Sequence, residues 1–321
     1  MEKLYIGVDL GGTSIKVGIV TEKGEILHKK SMPTNLPQPE EVTEEKICEL
    51  CQEICKEKNL DINKDICAIG IGSPGNVNNK TGVIGFSNNF GYYNWHLKEK
   101  IEAKLGLRVE VENDANTAII AEVIAGCAQG CPNAVILTLG TGVGSGVVID
   151  GKIYAGYNKS GAEMGHMVIS VGGRQCNCGR KGCFEKYASA TALVYDTKVA
   201  MLGDTKSLMW KICPNINDVT SKTVFDAMEL GDKTAKKVFD NYIEYLACGI
   251  TNVVNIFQPE ILCLGGGISN QKEVLLKPLQ EYLDREDYAR GLTKRVKIKI
   301  ATFRNDAGII GAALVGVNNA R

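Results

Sequence analysis

Two stretches of the chain place apolar runs on both sides of a glycine-rich turn. Residues 4–20 surround Gly11-Gly12-Thr13-Ser14, and residues 134–149 repeat the arrangement around Gly140-Thr141-Gly142. β-Branched runs separated by residues that tolerate tight turns predict β-hairpins. Because the same unit occurs in two parts of the chain, the pattern predicts two related α/β domains.

Between the hairpins, an apolar run at 66–71 leads into Gly70-Ile71-Gly72-Ser73-Pro74-Gly75. This spacing matches the dinucleotide fingerprint, which requires a helix to begin at the glycines. A polar loop with a proline follows instead, so the NAD interpretation is rejected. These glycines predict a loop that approaches a ligand, with Gly75 as a candidate contact.

Two polar stretches follow. The loop at 85–95 combines amide side chains, Asn88 and Asn89 among them, with aromatic rings, which suits a sugar and equally an ordinary surface loop. After a strand predicted at 108–111, Glu112-Asn113-Asp114 opens a helix to Gly126. Asn or Asp at such a start is usually an N-cap. Both roles can coexist, since Asn113 can cap the helix while Asp114 acts as the general base of a transfer reaction.

Glycine, threonine and serine in the two hairpin turns offer backbone N–H groups and hydroxyls, the donors that a polyphosphate needs. Neither turn is a Walker A loop, and ordinary tight hairpins are the alternative. A third run, Gly265-Gly266-Gly267, follows a strand predicted at 260–264. Bare backbone at this point lets a purine or ribose lie close to the chain.

Three cysteines and a histidine occur within eighteen residues, namely His166, Cys176, Cys178 and Cys183. Thiolate and imidazole ligands suit tetrahedral Zn²⁺, and four protein ligands leave no open position, so a structural zinc is predicted. Glu163 and Glu185 flank the set. They indicate a polar ligand beside the metal; the alternative is a surface zinc knuckle with solvated glutamates.

Composition narrows the function classes. The 321 residues suffice for two domains, and 37 basic against 37 acidic side chains create no field that favours nucleic acid or a membrane. Apolar residues make up 44%, but no run approaches a membrane span. Twelve cysteines without a secretory signal predict reduced thiols and a cytoplasmic location. Cys48, Cys51 and Cys55 fall on one helix face and are interpreted as buried small hydrophobes.

Five motifs occur in order along nearly the whole chain: Asp9-Leu-Gly11-Gly12-Thr13, Glu112-Asn113-Asp114, Leu139-Gly140-Thr141-Gly142-Val143-Gly144, Glu163-x-Gly165-His166 and Cys176-x-Cys178-Gly179-x-x-Gly182-Cys183-x-Glu185. Together they resemble the ROK family of repressors, uncharacterised reading frames and sugar kinases, and within it the bacterial glucokinases. The zinc motif is highly specific and the glycine turns are less so. The loop around Asn88 departs from the Asn-Leu-x-x-Trp form expected of the family, so Asn89 is an alternative there.

The resemblance implies an α/β fold of the actin/hexokinase/Hsp70 (ribonuclease H-like) type with two domains and a central cleft. It implies a small domain at 1–114 plus about 303–321, and a large one at 115–302 with the zinc site. Asp114 would be the catalytic base for ATP-dependent phosphorylation of the 6-hydroxyl of glucose. The other implied contacts are, for the sugar, Gly75, Asn88, Asn113, Asp114, Glu163, His166 and Glu185; for Mg²⁺-ATP, Asp9, Gly11, Gly12, Thr13, Lys16, Gly140, Thr141, Gly142, Gly144, Gly265, Gly266 and Gly267; and for zinc, His166, Cys176, Cys178 and Cys183.

Alternatives within the family remain open. Fructose, mannose or N-acetylmannosamine could replace glucose, and polyphosphate could replace or supplement ATP. A sugar-responsive regulator is expected to carry an additional N-terminal helix-turn-helix domain, for which a first strand beginning at residue 4 leaves no room. The family resemblance implies a homodimer.

Overall fold

A computed structural model describes residues 2–87 and 89–318. The chain forms two compact units. The first contains the described residues of Met1–Ile136, Gly146–Ala162 and Ala301–Arg321, and the second contains Leu137–Ser145 and Glu163–Ile300. The predicted division into domains at residue 114 stays a prediction, because a compact unit is defined by its contacts and a domain by independent folding.

The described residues form groups of strands and groups of helices along the chain. The strands are β1 (Leu4–Leu10), β2 (Ser14–Thr21), β3 (Ile26–Pro33), β4 (Ile66–Ser73), β5 (Asn76–Asn78), β6 (Val83–Ser87), β7 (Tyr92–Trp95), β8 (Val109–Asn113), β9 (Ala134–Leu139), β10 (Val143–Ile149), β11 (Lys152–Ile153), β12 (Ile261–Gly265) and β13 (Lys297–Ile300). The helices are α1 (Glu40–Glu57), α2 (Ile62–Asp65), α3 (Leu97–Leu105), α4 (Asp114–Ala125), α5 (Glu185–Ala188), α6 (Ala190–Gly203), α7 (Met209–Ile212), α8 (Ser221–Glu229), α9 (Lys233–Phe257), α10 (Glu273–Glu286) and α11 (Ala307–Asn318). Short 3-10 helices lie at Met164–His166, Ile216–Asp218, Gly267–Gln271 and Arg304–Asp306.

The main sheet of the first unit has the order β3-β2-β1-β4-β8. β1, β2 and β3 pair antiparallel, as the predicted hairpin requires, and β4 pairs in parallel with β1 and β8. α1 packs its buried face, including Ile47, Leu50 and Ile54, into the core cluster of this sheet. The thiols of Cys48, Cys51 and Cys55 are buried there as predicted, and burial raises the pKa of Cys48 and Cys55 to about 11.

A row of glycines lets α11 lie directly on the opposite face of this sheet. Gly18, Gly7 and Gly70 are register partners on β2, β1 and β4. A Cβ atom on Gly7 or Gly70 would collide with the backbone carbonyl of Ile309 or Ala312 in α11. The sheet therefore needs glycine at these positions because helix backbone occupies the space of their side chains.

Two smaller strand arrangements complete the chain. A second sheet has the order β11-β10-β9-β12-β13, so the predicted second glycine turn joins neighbouring strands β9 and β10. β5, β6 and β7 form a three-stranded antiparallel sheet directly after β4. β5 stands where a dinucleotide fingerprint needs a helix, which confirms the rejection of the NAD interpretation. None of the helices in the described part of the chain has the length and apolar character needed to cross a bilayer.

Candidate active site

The corner between β8 and α4 carries the predicted general base. Asn113 is the N-cap of α4, and its side-chain oxygen accepts the backbone N–H groups of Ala115 at 2.9 Å and Asn116 at 3.3 Å. Asp114 is the first helical residue and is exposed, and its Oδ1 accepts the N–H of Ala115 at 2.9 Å. The positive end of the helix dipole favours an ionised carboxylate at this position. The capping role of Asn113 is confirmed, and it leaves Asp114 at the surface of the first unit.

Gly75 lies beside this corner. The Asn113 side chain donates to its carbonyl at 3.1 Å. Its φ is +117°, and a Cβ atom there would collide with the carbonyl of Phe86 and lie 2.9 Å from the Cα of Ser87. The glycine therefore lets the loop after β4 pack against the end of β6. Asn88, the predicted sugar contact that follows Ser87, lies outside the described residues, so its role stays a prediction.

The first glycine turn has a charged pair at its base. Lys16 and Asp9 are cross-strand partners, and their Nζ and Oδ2 atoms lie 2.8 Å apart. A Cβ atom on Gly308, near the start of α11, would lie 2.6 Å from the Cγ of Asp9. The Asp9 carboxylate therefore contacts the first turn of a helix, where negative charge is stabilised. Within the turn, the N–H of Gly11 donates to the carbonyl of Ser14 at 3.0 Å.

The second glycine turn is surrounded by other predicted site residues of the second unit. The carbonyl of Gly140 accepts the N–H of Ala190, the first residue of α6, at 2.8 Å. A Cβ atom on Gly142 would lie 2.5 Å from Oε2 of Glu185. A Cβ atom on Gly266 would lie 2.5 Å from the carbonyl oxygen of Leu139, just before the turn. The structure thus brings together the second turn, the third glycine run and Glu185; Thr141 is exposed and Gly144 lies within β10.

The four predicted metal ligands converge. One ligand atom from each of His166, Cys176, Cys178 and Cys183 lies within 4.8 Å of all the others. Cys176 Sγ lies 3.7 Å from Nδ1 of His166, and the Sγ atoms of Cys178 and Cys183 lie 3.6 Å apart. Tetrahedral zinc with bonds of about 2.3 Å to sulfur and about 2.0 Å to nitrogen separates its ligand atoms by roughly 3.5 to 3.8 Å. The donor set and these two separations therefore fit a metal ion such as zinc.

The protonation of the cluster without metal follows from its surroundings. Burial, with a smaller contribution from the Glu185 carboxylate, raises the pKa of the Cys176 thiol to about 12, and this thiol donates to Glu185 Oε1 at 3.0 Å. The backbone N–H of Arg180 lowers the pKa of the Cys178 thiol. Metal binding would displace the thiol protons, because zinc coordinates thiolates.

Glu185 and Glu163 belong to the same constellation. Glu185 Oε1 lies 4.0 Å from Nδ1 of His166, while Oε2 faces Gly142. Burial raises the pKa of Glu163, which directly precedes the 3-10 helix containing His166. That helix is fixed by a hydrogen bond of 3.0 Å from the N–H of Met164 to the Ser145 hydroxyl. Both glutamates and the histidine are therefore held near the second turn by β10 and by the loop that carries Cys176, Cys178 and Cys183.

Three polar residues around the corner had no role in the sequence analysis: Asn79, Glu112 and Asn116. The Glu112 carboxylate is 5% exposed and accepts hydrogen bonds from both amides. The available signal for Glu112 in the sequence was an acidic residue near the end of strand β8. Its partners could not be inferred, since Asn79 reaches it from the separate β5–β6 turn.

A model of the ROK family matches residues 5–318 of the chain. The protein belongs to the ROK family. The match spans both compact units, so the fold is of the actin/hexokinase type shared by ROK sugar kinases. The resemblance inferred from the five motifs is confirmed.

Full-length similarity extends to proteins of different kinds within the ROK family. A glucokinase of Halalkalibacterium halodurans is 36% identical over 97% of this chain and 94% of its own. The crystal structure of a ROK glucokinase from Streptomyces griseus with glucose and AMPPNP is similar at a TM-score of 0.84 and 32% identity, over 98% of this chain and 99% of that one. A xylose repressor of Caldicellulosiruptor bescii is 26% identical over 98% of this chain and 78% of its own.

Proposed function

We propose that this protein is an ATP-dependent hexose kinase that transfers the γ-phosphoryl group of ATP to the 6-hydroxyl of glucose. The observation that carries the proposal is the placement of Glu185. One carboxylate oxygen faces the ligand cluster through Cys176, and the other faces the glycine turn at Gly142. A sugar kinase needs a carboxylate that accepts a hydrogen bond from a sugar hydroxyl, close to a glycine turn that can bind phosphate. The glucokinase relatives support glucose as the substrate.

Asp114 is the general base of the proposed reaction. As the sugar hydroxyl oxygen forms its bond to the γ-phosphorus, the bond from phosphorus to the ADP oxygen breaks and the hydroxyl proton passes to the Asp114 carboxylate. Asp114 is exposed at the first turn of α4, where its carboxylate is accessible to a sugar hydroxyl. Asn113 and Gly75 supply further polar groups for the sugar beside it.

Backbone N–H groups and hydroxyls of the two glycine turns bind the phosphates. The candidate residues are Gly11, Gly12, Thr13 and Lys16 in the first turn, Gly140, Thr141, Gly142 and Gly144 in the second, and Gly265, Gly266 and Gly267 for the adenosine. Mg²⁺ would accompany ATP and neutralise phosphate charge, and Asp9 would help to orient it. The contact of Gly266 with Leu139 places the third run beside the second turn, as a single nucleotide requires.

His166, Cys176, Cys178 and Cys183 hold zinc in this proposal. When bound, the ion supplies a fixed structural centre and no open coordination position. His166 has Nδ1 toward the cluster, so its Nε2 is the nitrogen that can meet a sugar hydroxyl. Glu163 and Glu185 bind neighbouring hydroxyls, and zinc bound to His166 and Cys183 would fix the two chain segments that carry them.

Other assignments are weaker. Fructose, mannose or N-acetylmannosamine as substrate, and polyphosphate as donor, would use the same residues. The similarity to a xylose repressor keeps a sugar-responsive regulator as the second candidate. A homodimer and a cytoplasmic location stay predictions.

A coupled kinase assay tests the proposal directly. Glucose, mannose, fructose and the N-acetylated amino sugars are each offered with ATP and, separately, with polyphosphate. We expect the highest kcat/KM for glucose with ATP. Sugar binding without any phosphorylation would favour the regulator instead.

A further inference from the structure

Glu112 is a buried carboxylate held by three neutral amide donors. Its Oε1 accepts the backbone N–H of Asn113 at 2.8 Å and Nδ2 of Asn116 at 2.9 Å, and its Oε2 accepts Nδ2 of Asn79 at 3.0 Å. The residue is 5% exposed. Burying a charged carboxylate is costly unless hydrogen bonds satisfy it, and bonds to an ionised acceptor are stronger than neutral ones. The three donors therefore hold this side chain in one position.

The donors come from both sides of the candidate base. Asn113 directly precedes Asp114 and caps α4, while Asn116 lies in the first turn of the same helix. Asn79 follows β5 and ties the carboxylate to the small sheet that continues toward the predicted sugar loop. Glu112 thus fixes the peptide that enters Asn113, the residue before Asp114, and the first helical turn that follows.

We infer that Glu112 is a positioning residue for Asp114, an inference that rests on the proposed function. Glu112 does not touch the substrate in this scheme. It holds the corner so that the Asp114 carboxylate meets the hydroxyl proton in a productive geometry. Misplacement of a catalytic group by about 1 Å costs on the order of 100-fold in rate, so partial loosening should reduce kcat about tenfold.

The test compares Glu112→Gln with Glu110→Gln. A glutamine offers one oxygen instead of two, so at least one of the three amide donors loses its acceptor. Glu110 lies on the same strand and is 8% exposed, but its carboxylate pairs with Lys98 at 3.2 Å. We expect Glu112→Gln to lower kcat about tenfold with both KM values within about twofold of wild type, and Glu110→Gln to leave kcat unchanged.

Asn116→Ala provides a second variant if Glu112→Gln folds poorly. It removes one donor and keeps the carboxylate, so we expect about a threefold lower kcat and, in the double variant, no loss beyond that of Glu112→Gln. Thermal unfolding of each variant checks that the protein is folded at the assay temperature. A kcat of Glu112→Gln within twofold of wild type, equal losses in both glutamine variants, or a change in sugar KM alone would overturn the inference.

The outcome separates the two proposals. An active wild type, an inactive Asp114→Asn variant and a normal Glu112→Gln variant would refute only the positioning role. Substantial turnover by Asp114→Asn, or no phosphorylation by the wild type, would refute the proposed chemistry and the positioning role together.

Discussion

Polar groups are organised in opposite ways at the β8–α4 corner and in the thiol cluster, which consists of His166, Cys176, Cys178 and Cys183. At the corner, the Glu112 carboxylate and the Asn113 side chain are satisfied by amide donors of the protein itself. In the cluster, three thiols and an imidazole point at one another, with 3.6 Å between two of the sulfurs. The first arrangement is complete without an added ion, whereas in the proposed function a cation would join the ligands of the second.

This difference predicts that variants of the two regions change different kinetic constants. The corner should keep its geometry whether or not metal is present, so its variants should affect the chemical step. The cluster positions His166 and Glu185, so its variants should affect sugar binding.

Replacing Asp114 should have the largest effect. Asp114→Asn removes the proton acceptor and keeps the size of the side chain, so kcat should fall about 1,000-fold. Metal content, measured by atomic emission, should equal that of the wild type. Residual kcat within tenfold of wild type would show that another group accepts the proton.

Disrupting the cluster should have the next largest effect. Cys178→Ser removes an exposed ligand, so the metal should be lost and the KM for sugar should rise about 10- to 100-fold. The KM for ATP should change much less. Cys213→Ser is the matched control, because this thiol of the second unit lies outside the cluster and donates to the carbonyl of Asn215 at 3.2 Å, which a hydroxyl also does. An equal loss of sugar and nucleotide binding would mean that the metal supports the whole unit.

A methyl group at Gly142 should produce a smaller effect on the same side. In Gly142→Ala the new Cβ would lie 2.5 Å from Glu185 Oε2, so the carboxylate must move. We expect the KM for sugar to rise about fivefold, equivalent to roughly 1 kcal/mol. Gly12→Ala in the first turn has no such clash, with its nearest neighbour 3.7 Å away at Asn89 Cβ. A larger sugar effect from Gly12→Ala than from Gly142→Ala would contradict the placement of Glu185.

Removing the N-cap of α6 should have the smallest effect. Ser189 caps α6 by accepting the N–H of Ala192 at 3.1 Å. Ser189→Ala should cost about 1 kcal/mol and lower the melting temperature by roughly 1–2 °C, with unchanged kinetic constants. Calorimetry and the kinase assay measure both. Altered kinetics would show that the start of α6 takes part in nucleotide binding through Ala190.

The sequence predicted the cluster better than the corner, for a physical reason. Zinc ligands are chemically specific and close in sequence. The spacing of His166 and the three cysteines therefore predicted that their side chains lie together. Asn113 could be predicted as a cap from its place at a strand–helix junction. The Glu112 network could not, because Asn79 approaches from another sheet and amide side chains have no distinctive spacing.

The fold shows the same limit. Both glycine hairpins were predictable from apolar runs around turn residues. The glycine row Gly7, Gly18 and Gly70 could not be predicted, because its reason is the packing of α11 on the sheet. Backbone of α11 lies against Gly7 and Gly70, and the Ile309 side chain lies against Gly18. Likewise, the contact of Gly142 with Glu185 joins residues that only the tertiary structure brings together.

Identifying the product of the wild-type protein tests the central claim most directly. Carbon-13-labelled glucose is incubated with Mg²⁺-ATP, and the products are followed by carbon and phosphorus NMR. The proposed function predicts glucose 6-phosphate and ADP in equal amounts. ADP without a sugar phosphate, phosphate on another hydroxyl, or no reaction would contradict it.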